Sequence, residues 1–133
     1  MIKVAKKFLP FDGPFPLSKA VISNDQYTME ISGQIGINPN TKKLEEGIVK
    51  QTEQAMELIK EILAEVGWDF NNLVKTRIFL TEMSNYQQMN EVYSRYFSST
   101  LPTRFTLAVK ELPAGALVEI DCTATGNEIQ KNG

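Results

Sequence analysis

Stretches in which apolar and polar residues alternate predict five β-strands. Two of them lie in residues 19–35 and are joined at the turn-prone pair Asn24-Asp25. A third lies in residues 72–83, and the last two lie in residues 103–121, separated by a tight Pro/Gly turn. Alternation of this kind is typical of strands that bury one face of a sheet and leave the other outside the core.

Apolar residues at helical spacing predict two helices between these strands. The first runs from about Ile48 to Val66, and Gly67 fits as its stop. The second begins at Ser84, because Ser84 and Gln87 have the spacing of a capping box. A stripe of large side chains along this helix is more typical of a core or an interface than of a cofactor site; it comprises Tyr86, Met89, Tyr93, Tyr96 and Phe97.

The order strand, strand, helix, strand, helix, strand, strand predicts an α+β fold with one mixed sheet and both helices on one of its faces. At 133 residues the chain is long enough for a single domain with its own core. The polar tail 126–133 is expected to fray. Apolar residues at alternate positions of several strands would leave a second apolar surface on the other face of the sheet, which indicates oligomerisation in a chain of this size.

The composition removes several kinds of chemistry. The chain has no histidine, which excludes Ser-His and Cys-His catalysis, histidine-ligated zinc and a histidine general base. Its one cysteine, Cys122, lies in a predicted strand and is expected to be a small buried hydrophobe. The net charge of −2 argues against nucleic acid as the main partner. The sequence has no apolar leader or spanning segment and no phosphate-loop, dinucleotide or CxxC motif, so a cytoplasmic location without metal or cofactor is expected.

Two side chains in the last pair of strands are candidates for chemistry. Arg104 stands where the first of these strands begins, and its planar guanidinium is suited to binding a carboxylate at two points. Glu119 lies between apolar residues in the second strand, so it points away from the core. From spacing alone, a solvated surface role is the simpler interpretation of both residues, and it is the one expected for Asp121.

The most distinctive motifs are ISGQIGINPNT, LVKTRIFLTEM, NEVYSRYF and LPTRFTLAVKELPAGALVEID. Together they resemble the YjgF/RidA family of small reactive-intermediate deaminases, in the family's order and over roughly residues 13–124, the core of one domain covering 1–133. The resemblance implies a chorismate-mutase-like α+β fold and a homotrimer with clefts between subunits. The implied activity is hydrolysis of 2-imino or enamine acids, such as 2-iminobutanoate and 2-iminopropanoate, to 2-keto acids and ammonia without a cofactor.

The resemblance also implies roles for individual residues. The family's carboxylate-binding arginine corresponds to Arg104, and the glutamate that holds the attacking water corresponds to Glu119. If the last two strands form a hairpin, these two side chains converge across it into one cleft. The residues expected to bind substrate beside them are Ser32, Gly33, Asn90 and Thr106, the last through its backbone groups.

One position departs from the family pattern. Similar proteins carry Gly-Pro-Tyr near the N-terminus, and the tyrosine hydroxyl reaches a neighbouring subunit's site, whereas this chain reads Gly13-Pro14-Phe15. Phe15 is therefore expected to cover the cleft without supplying a hydroxyl. Three functions are weighed: an imine deaminase, a non-enzymatic trimer that binds small carboxylates as a regulatory or chaperone-like module, and RNA cleavage. The last is least favoured because of the acidic balance and the missing histidine.

Overall fold

The computed structural model of the protein describes residues 5–130. In this part of the chain the regular elements are β1 (Lys6–Pro10), β2 (Ser18–Ser23), β3 (Tyr27–Ile35), α1 (Gly47–Ala64), β4 (Leu73–Leu80), α2 (Tyr86–Ser94), β5 (Thr103–Ala108) and β6 (Val118–Gly126). Short 3-10 turns precede β4, α2 and β6 at Phe70–Asn72, Met83–Asn85 and Pro113–Gly115. Neither α1 nor α2 has the combination of length and apolar character that a membrane-crossing helix needs.

Four of the strands form one mixed sheet in the order β3-β6-β4-β5. Strand β6 lies antiparallel to both β3 and β4, and β5 runs parallel to β4. The other two strands, β1 and β2, pair with each other in an antiparallel ribbon. The predicted α+β class, with a mixed sheet and two helices, is confirmed.

One local expectation about strand pairing is wrong. Strands β5 and β6 do not form a hairpin, because β4 lies between them in the sheet. Strands β2 and β3 flank Asn24-Asp25 as expected, and β2 pairs with β1. The sequence did not reveal β1, because Lys6–Pro10 begins with two lysines, ends in proline and lacks regular alternation.

Both helices pack on one face of the four-stranded sheet. Thr76, Ile78 and Leu80 of β4 are buried beneath them, whereas Arg77 and Phe79 are only partly buried, so the predicted alternation is confirmed. The buried residues that the helices contribute include Ala55, Met56, Ile59, Leu63, Met89 and Tyr93, and Cys122 lies in the same core, as expected. Burying one aliphatic side chain of this kind is worth roughly 1.5–3 kcal/mol, so this layer holds the helices on the sheet.

The helix ends predicted from the sequence are confirmed only in part. After α1 the chain turns at Gly67, whose φ of 79° is strained for any residue with a side chain, so the predicted stop lies in the right place. The capping box predicted at Ser84 is wrong. Ser84 lies inside the preceding 3-10 turn, and α2 begins at Tyr86 after Asn85, whose side chain makes no capping hydrogen bond.

The outer face of the sheet is partly apolar and partly charged. Phe105 and Leu107 of β5 are exposed there, and the ring of Phe105 packs edge-on against Phe79 at 6.1 Å. Toward β6 the same face carries an ion pair in which Arg77 Nη1 lies 2.5 Å from Asp121 Oδ1. The apolar surface predicted for this face is therefore limited to the β4–β5 side, and Asp121 is a paired residue instead of a freely solvated one.

The segment that follows β6 packs across the end of α1. The Trp68 indole Nε1 donates to the Glu128 carbonyl at 2.6 Å, and the Gln130 amide donates to the Val66 carbonyl at 3.0 Å. Residues 126–130 thus differ from the frayed tail that the sequence predicted, and residues 131–133 lie outside the described part of the chain.

Candidate functional site

Arg104 is held by aromatic rings on the helix side of the sheet. It pairs in register with the buried Thr76 of β4, so its side chain points toward the same face as the core. Its guanidinium carbon lies 5.6 Å from the ring centre of Tyr86 and 5.1 Å from that of Tyr93, both within cation–π distance. Its Nη2 also donates to the Tyr86 hydroxyl at 3.0 Å. These contacts restrain the guanidinium, so Arg104 is not a solvated surface residue.

The spacing of residues along α2 explains how these rings reach one arginine. Tyr86, Asn90 and Tyr93 are separated by four and three positions, which places all three on one face of a helix. Tyr93 is fully buried, and its hydroxyl shares a hydrogen bond with Thr76 Oγ1 at 2.8 Å. Burial raises the pKa of Tyr93 well above its usual range, against the opposing effects of the Thr76 hydrogen bond and the Arg104 charge. Tyr93 is therefore a neutral support for the guanidinium.

Buried polar atoms without hydrogen-bond partners concentrate around this arginine. Within residues 5–130, the buried side-chain atoms that lack a partner are Arg104 Nε, Arg104 Nη1, Asn90 Oδ1 and Thr106 Oγ1. An unsatisfied buried donor or acceptor costs roughly 1–3 kcal/mol, and more when the group is charged. The three residues are also ones that the family resemblance implied for the site, although Thr106 was expected there through its backbone groups. The Arg104 nitrogens can donate to a small anion, and the oxygens of Asn90 and Thr106 can accept from an N–H or O–H group of the same ligand.

Phe15 lies at the rim of the Arg104 region within the same chain. Its ring meets Tyr86 edge to face with centres 5.7 Å apart, and 44% of the residue remains exposed. It also lines an open depression of about 450 Å³ together with Asn90. Phe15 thus contacts Tyr86 of its own chain, and the expectation that it covers a neighbouring subunit's cleft stays a prediction.

Glu119 and Gly33 form a second group on the outer face of the sheet. The pairing of β3 with β6 shifts register between Ile31 and Gln34, so Ser32 and Gly33 form an irregularity in the edge strand. A Cβ built at Gly33 would overlap Glu119 Oε2. Glycine at this position therefore lets the carboxylate lie across the strand, and glycine inside a strand commonly marks a bulge or a close backbone approach of this kind.

The two groups lie on opposite faces of one sheet. Arg104 shares its face with Thr76, which is paired in register with both Arg104 and Cys122. Glu119 is paired with Phe79, whose neighbours Ile78 and Leu80 point into the core, so it lies on the other face. Within one chain, Arg104 and Glu119 therefore do not converge into a cleft as the hairpin hypothesis required.

Sequence reasoning did not identify Tyr86 and Tyr93 as the partners of Arg104. The signal was visible as an aromatic stripe on the second helix, but such stripes are usually core, and the strand that this one would meet was unknown. Cys122 behaves as a core residue: burial, with a smaller effect of the Asp121 charge, raises the pKa of its thiol far above the usual range. Among residues 5–130, no three acidic or thiol side chains lie together as a metal site would require.

Comparisons with known proteins agree with this architecture. The family profile described as "Endoribonuclease L-PSP" matches residues 13–126. A relative from Mus musculus named 2-iminobutanoate/2-iminopropanoate deaminase is 41% identical over 110 residues, which cover 82% of this chain and 80% of that protein.

Solved structures give the same result. The Rid-family protein YyfA from Yersinia pestis is 39% identical and superposes with a TM-score of 0.72 over 91% of this chain and 99% of that one. TdcF of E. coli, solved with bound serine, is 26% identical with a TM-score of 0.72 over 89% of this chain and 92% of that one.

Proposed function

The chain belongs to the YjgF/RidA family, and on this premise we propose that it hydrolyses reactive 2-imino and enamine acids to 2-keto acids and ammonia. Suitable substrates are 2-iminobutanoate and 2-iminopropanoate, the substrates in the name of its mouse relative. The observation that carries the proposal is the buried Arg104 guanidinium, which has two nitrogens without partners. A substrate carboxylate would satisfy these donors.

Arg104 binds the carboxylate in this proposal. The neighbouring tyrosine rings and the Tyr86 hydroxyl restrict the guanidinium, so little side-chain freedom remains to be lost when a ligand binds. A hydrogen bond between charged partners is worth about 1.5–3 kcal/mol. Asn90 Oδ1 and Thr106 Oγ1, the unpartnered acceptors nearby, would accept from the imine N–H or from an ordered water.

Glu119 positions the attacking water, and it reaches the substrate from a neighbouring subunit. Because Arg104 and Glu119 lie on opposite faces of one sheet, a complete site needs two chains. In a homotrimer, the face with Ser32, Gly33 and Glu119 of one subunit would close over the Arg104 region of the next. The exposed Phe105 and Leu107 on the outer face provide apolar area for such an interface.

The reaction itself asks little of the protein. The water oxygen bonds to C2 as the C=N π electrons and one proton move to nitrogen, giving a carbinolamine. Loss of ammonia with formation of C=O then yields the 2-keto acid. Glu119 can take a proton from the water as its oxygen attacks, and a positioned group of this kind contributes roughly 10²–10⁴-fold. This route uses no histidine, in agreement with the sequence.

A second candidate, a non-enzymatic carboxylate-binding trimer, is favoured by Phe15, which lacks the hydroxyl of the family's tyrosine. The presence of Glu119 across from Gly33 opposes it, because carboxylate capture alone needs no second carboxylate. RNA cleavage, which the description of the family profile suggests, is opposed by the net charge of −2 and the absence of histidine.

The test is an imine-hydrolysis assay. 2-Iminobutanoate is generated in situ by an amino-acid oxidase, and 2-ketobutyrate release is followed with and without the protein. We expect a faster release with the wild-type chain and none above background with Arg104→Ala. Binding of 2-ketobutyrate without any acceleration would contradict the deaminase and leave the binding module.

A further inference from the structure

The Tyr86 hydroxyl occupies one of the hydrogen-bonding positions of Arg104. Arginine only donates, so the hydroxyl oxygen accepts from Nη2 at 3.0 Å. The Tyr86 ring is also one of the two rings near the guanidinium carbon. The Tyr86 ring also packs edge to face against the ring of Phe15. Tyr86 therefore touches the guanidinium through both its ring and its oxygen.

A guanidinium presents two bidentate edges to a carboxylate, and both include Nη2. One edge combines Nε with Nη2, and the other combines Nη1 with Nη2. Because each edge uses a different proton of Nη2, a partner on one of these protons removes one edge and leaves the other complete. The nitrogens Nε and Nη1 remain without partners in the buried region.

We propose that Tyr86 is a positioning residue that commits one Nη2 proton of Arg104 and thereby leaves a single bidentate edge for the substrate carboxylate. The inference rests on the proposed function, because it concerns how the same carboxylate is held. Tyr86 acts through the arginine: it fixes the plane and the free edge of the guanidinium that the substrate carboxylate meets in the ground state and the transition state alike.

Tyr86→Phe tests this with the least disturbance, because the ring keeps its contacts with Phe15 and Arg104 and only the hydroxyl is removed. We expect the Kd for 2-ketobutyrate, measured by calorimetry on the full chain, to rise about tenfold. This is the effect of losing one hydrogen bond that orients a charged group. The KM for 2-iminobutanoate should rise similarly, while kcat stays within about threefold, since ground state and transition state share the carboxylate.

Two further variants separate positioning from general packing. Tyr96→Phe is the matched control, because it also removes a tyrosine hydroxyl, one that bonds the Glu53 carbonyl; its Kd should stay within about twofold of wild type. In an Arg104→Lys background there is no planar fork to orient, so adding Tyr86→Phe should change the Kd by less than about twofold. An equal weakening in both backgrounds would overturn the inference.

The outcomes also distinguish this inference from the proposed function. If Arg104→Ala loses 2-ketobutyrate binding while Tyr86→Phe binds like wild type, the positioning role is wrong and the carboxylate site stands. If Arg104→Ala itself binds like wild type, the proposed site is wrong and the positioning role fails with it.

Discussion

The guanidinium of Arg104 and the carboxylate of Glu119 lie on opposite faces of the same four-stranded sheet. Strand β4 separates the strands that carry them, and Thr76 and Phe79 of β4, their register neighbours, point to opposite sides. If both residues serve one site, as proposed, a single chain carries the two halves of that site apart. Copies that place the Glu119 face of one against the Arg104 region of the next form a head-to-tail contact, which closes into a ring when the rotation allows.

The first prediction is therefore a homotrimer whose sites are shared between subunits. Sedimentation equilibrium at micromolar protein should give about three times the chain mass of 15.0 kDa. Mixed trimers refolded from equal amounts of Arg104→Ala and Glu119→Gln chains should recover about a quarter of the wild-type activity, since one site in four then combines two intact halves. Either variant refolded alone is the control. A monomer in solution would contradict a shared site. So would trimers that contain both variant chains but recover no activity.

The second prediction concerns the arginine. Arg104→Ala should weaken 2-ketobutyrate binding by roughly 10–150-fold, the loss of about 1.5–3 kcal/mol from a charge-assisted contact, and Arg104→Lys should restore little because lysine lacks the planar fork. Arg95→Ala is a matched control, because that side chain is 62% exposed and lies 3.7 Å from its partner Glu53. Calorimetry with 2-ketobutyrate and thermal unfolding, to check the fold, decide the result.

The third prediction separates catalysis from binding at Glu119. Glu119→Gln keeps the shape of the side chain but cannot accept the water's proton, so kcat should fall by about 10²-fold or more while the Kd for 2-ketobutyrate changes by less than about threefold. Asp121→Asn, on the same strand and the same face, should leave kcat near wild type, because that carboxylate is paired with Arg77. Equal turnover in Glu119→Gln and wild type would remove the water-holding role.

Alternation along the chain predicted the buried side of β4 and β6. Each strand packs one face against the helices, so apolar residues recur at every second position. The order in which the strands pair in the sheet has no comparable sequence pattern. The Pro/Gly segment before β6 resembles a hairpin turn, and nothing local indicates that β4 lies between β5 and β6. Strand β1 also lacked a local signal, since its partner is β2 in a separate ribbon.

The proposed site shows the same division. Arg104 and Glu119 were accessible as candidates from motifs, whereas their relative placement depended on the sheet order and was predicted wrongly for a single chain. The contact of Tyr86 with Arg104 was inaccessible, because it joins a helix to a strand that lies 18 positions away in the sequence. Gly33 was the exception, since glycine in a strand indicates close approach whatever the partner, and Glu119 is that partner.

The fourth prediction concerns acid stability and rests on Asp25. Its side chain is 1% exposed and accepts from Lys6 Nζ at 2.5 Å, Thr125 Oγ1 at 2.7 Å and Asn127 Nδ2 at 2.9 Å. Burial alone would raise its pKa, but the hydrogen bonds and the charge of Lys6 outweigh burial and lower the pKa below the ordinary 3.8. A lowered pKa in the folded state stabilises the fold above the unfolded pKa, and this contribution is lost as pH falls through the folded value.

Wild type should thus exceed Asp25→Asn in free energy of unfolding at pH 7, and the difference should shrink as the pH falls below about 4. Urea unfolding at pH 7 and at pH 3 measures the difference in free energy of unfolding between the two proteins. Asp12→Asn, a change at an exposed aspartate, is the control and should leave the free energy of unfolding at pH 7 close to that of wild type. A difference for Asp25→Asn that is constant from pH 7 to pH 3 would contradict the assigned cause.

The last prediction concerns Phe15, where the chain lacks the family's tyrosine hydroxyl. The ring is 44% exposed and meets Tyr86 edge to face, so adding one oxygen at its tip should cost little packing energy. A neutral hydrogen bond is worth about 0.5–1.5 kcal/mol, which corresponds to at most about tenfold in rate. Phe15→Tyr should therefore raise kcat/KM for 2-iminobutanoate by up to about tenfold over a measurable wild-type activity.

Phe11→Tyr is the matched control for Phe15→Tyr. Phe11 is an exposed neighbour whose ring centre lies 6.4 Å from that of Phe15, so the change adds the same oxygen nearby without the contact to Tyr86. Its kcat/KM should stay near wild type. Equal activity of Phe15→Tyr and wild type would show that this hydroxyl has no role in this chain. If neither Phe15→Tyr nor wild type turns over 2-iminobutanoate but both bind 2-ketobutyrate, the binding module is favoured over the deaminase. A deaminase site that lacks one neutral hydrogen bond should still accelerate hydrolysis.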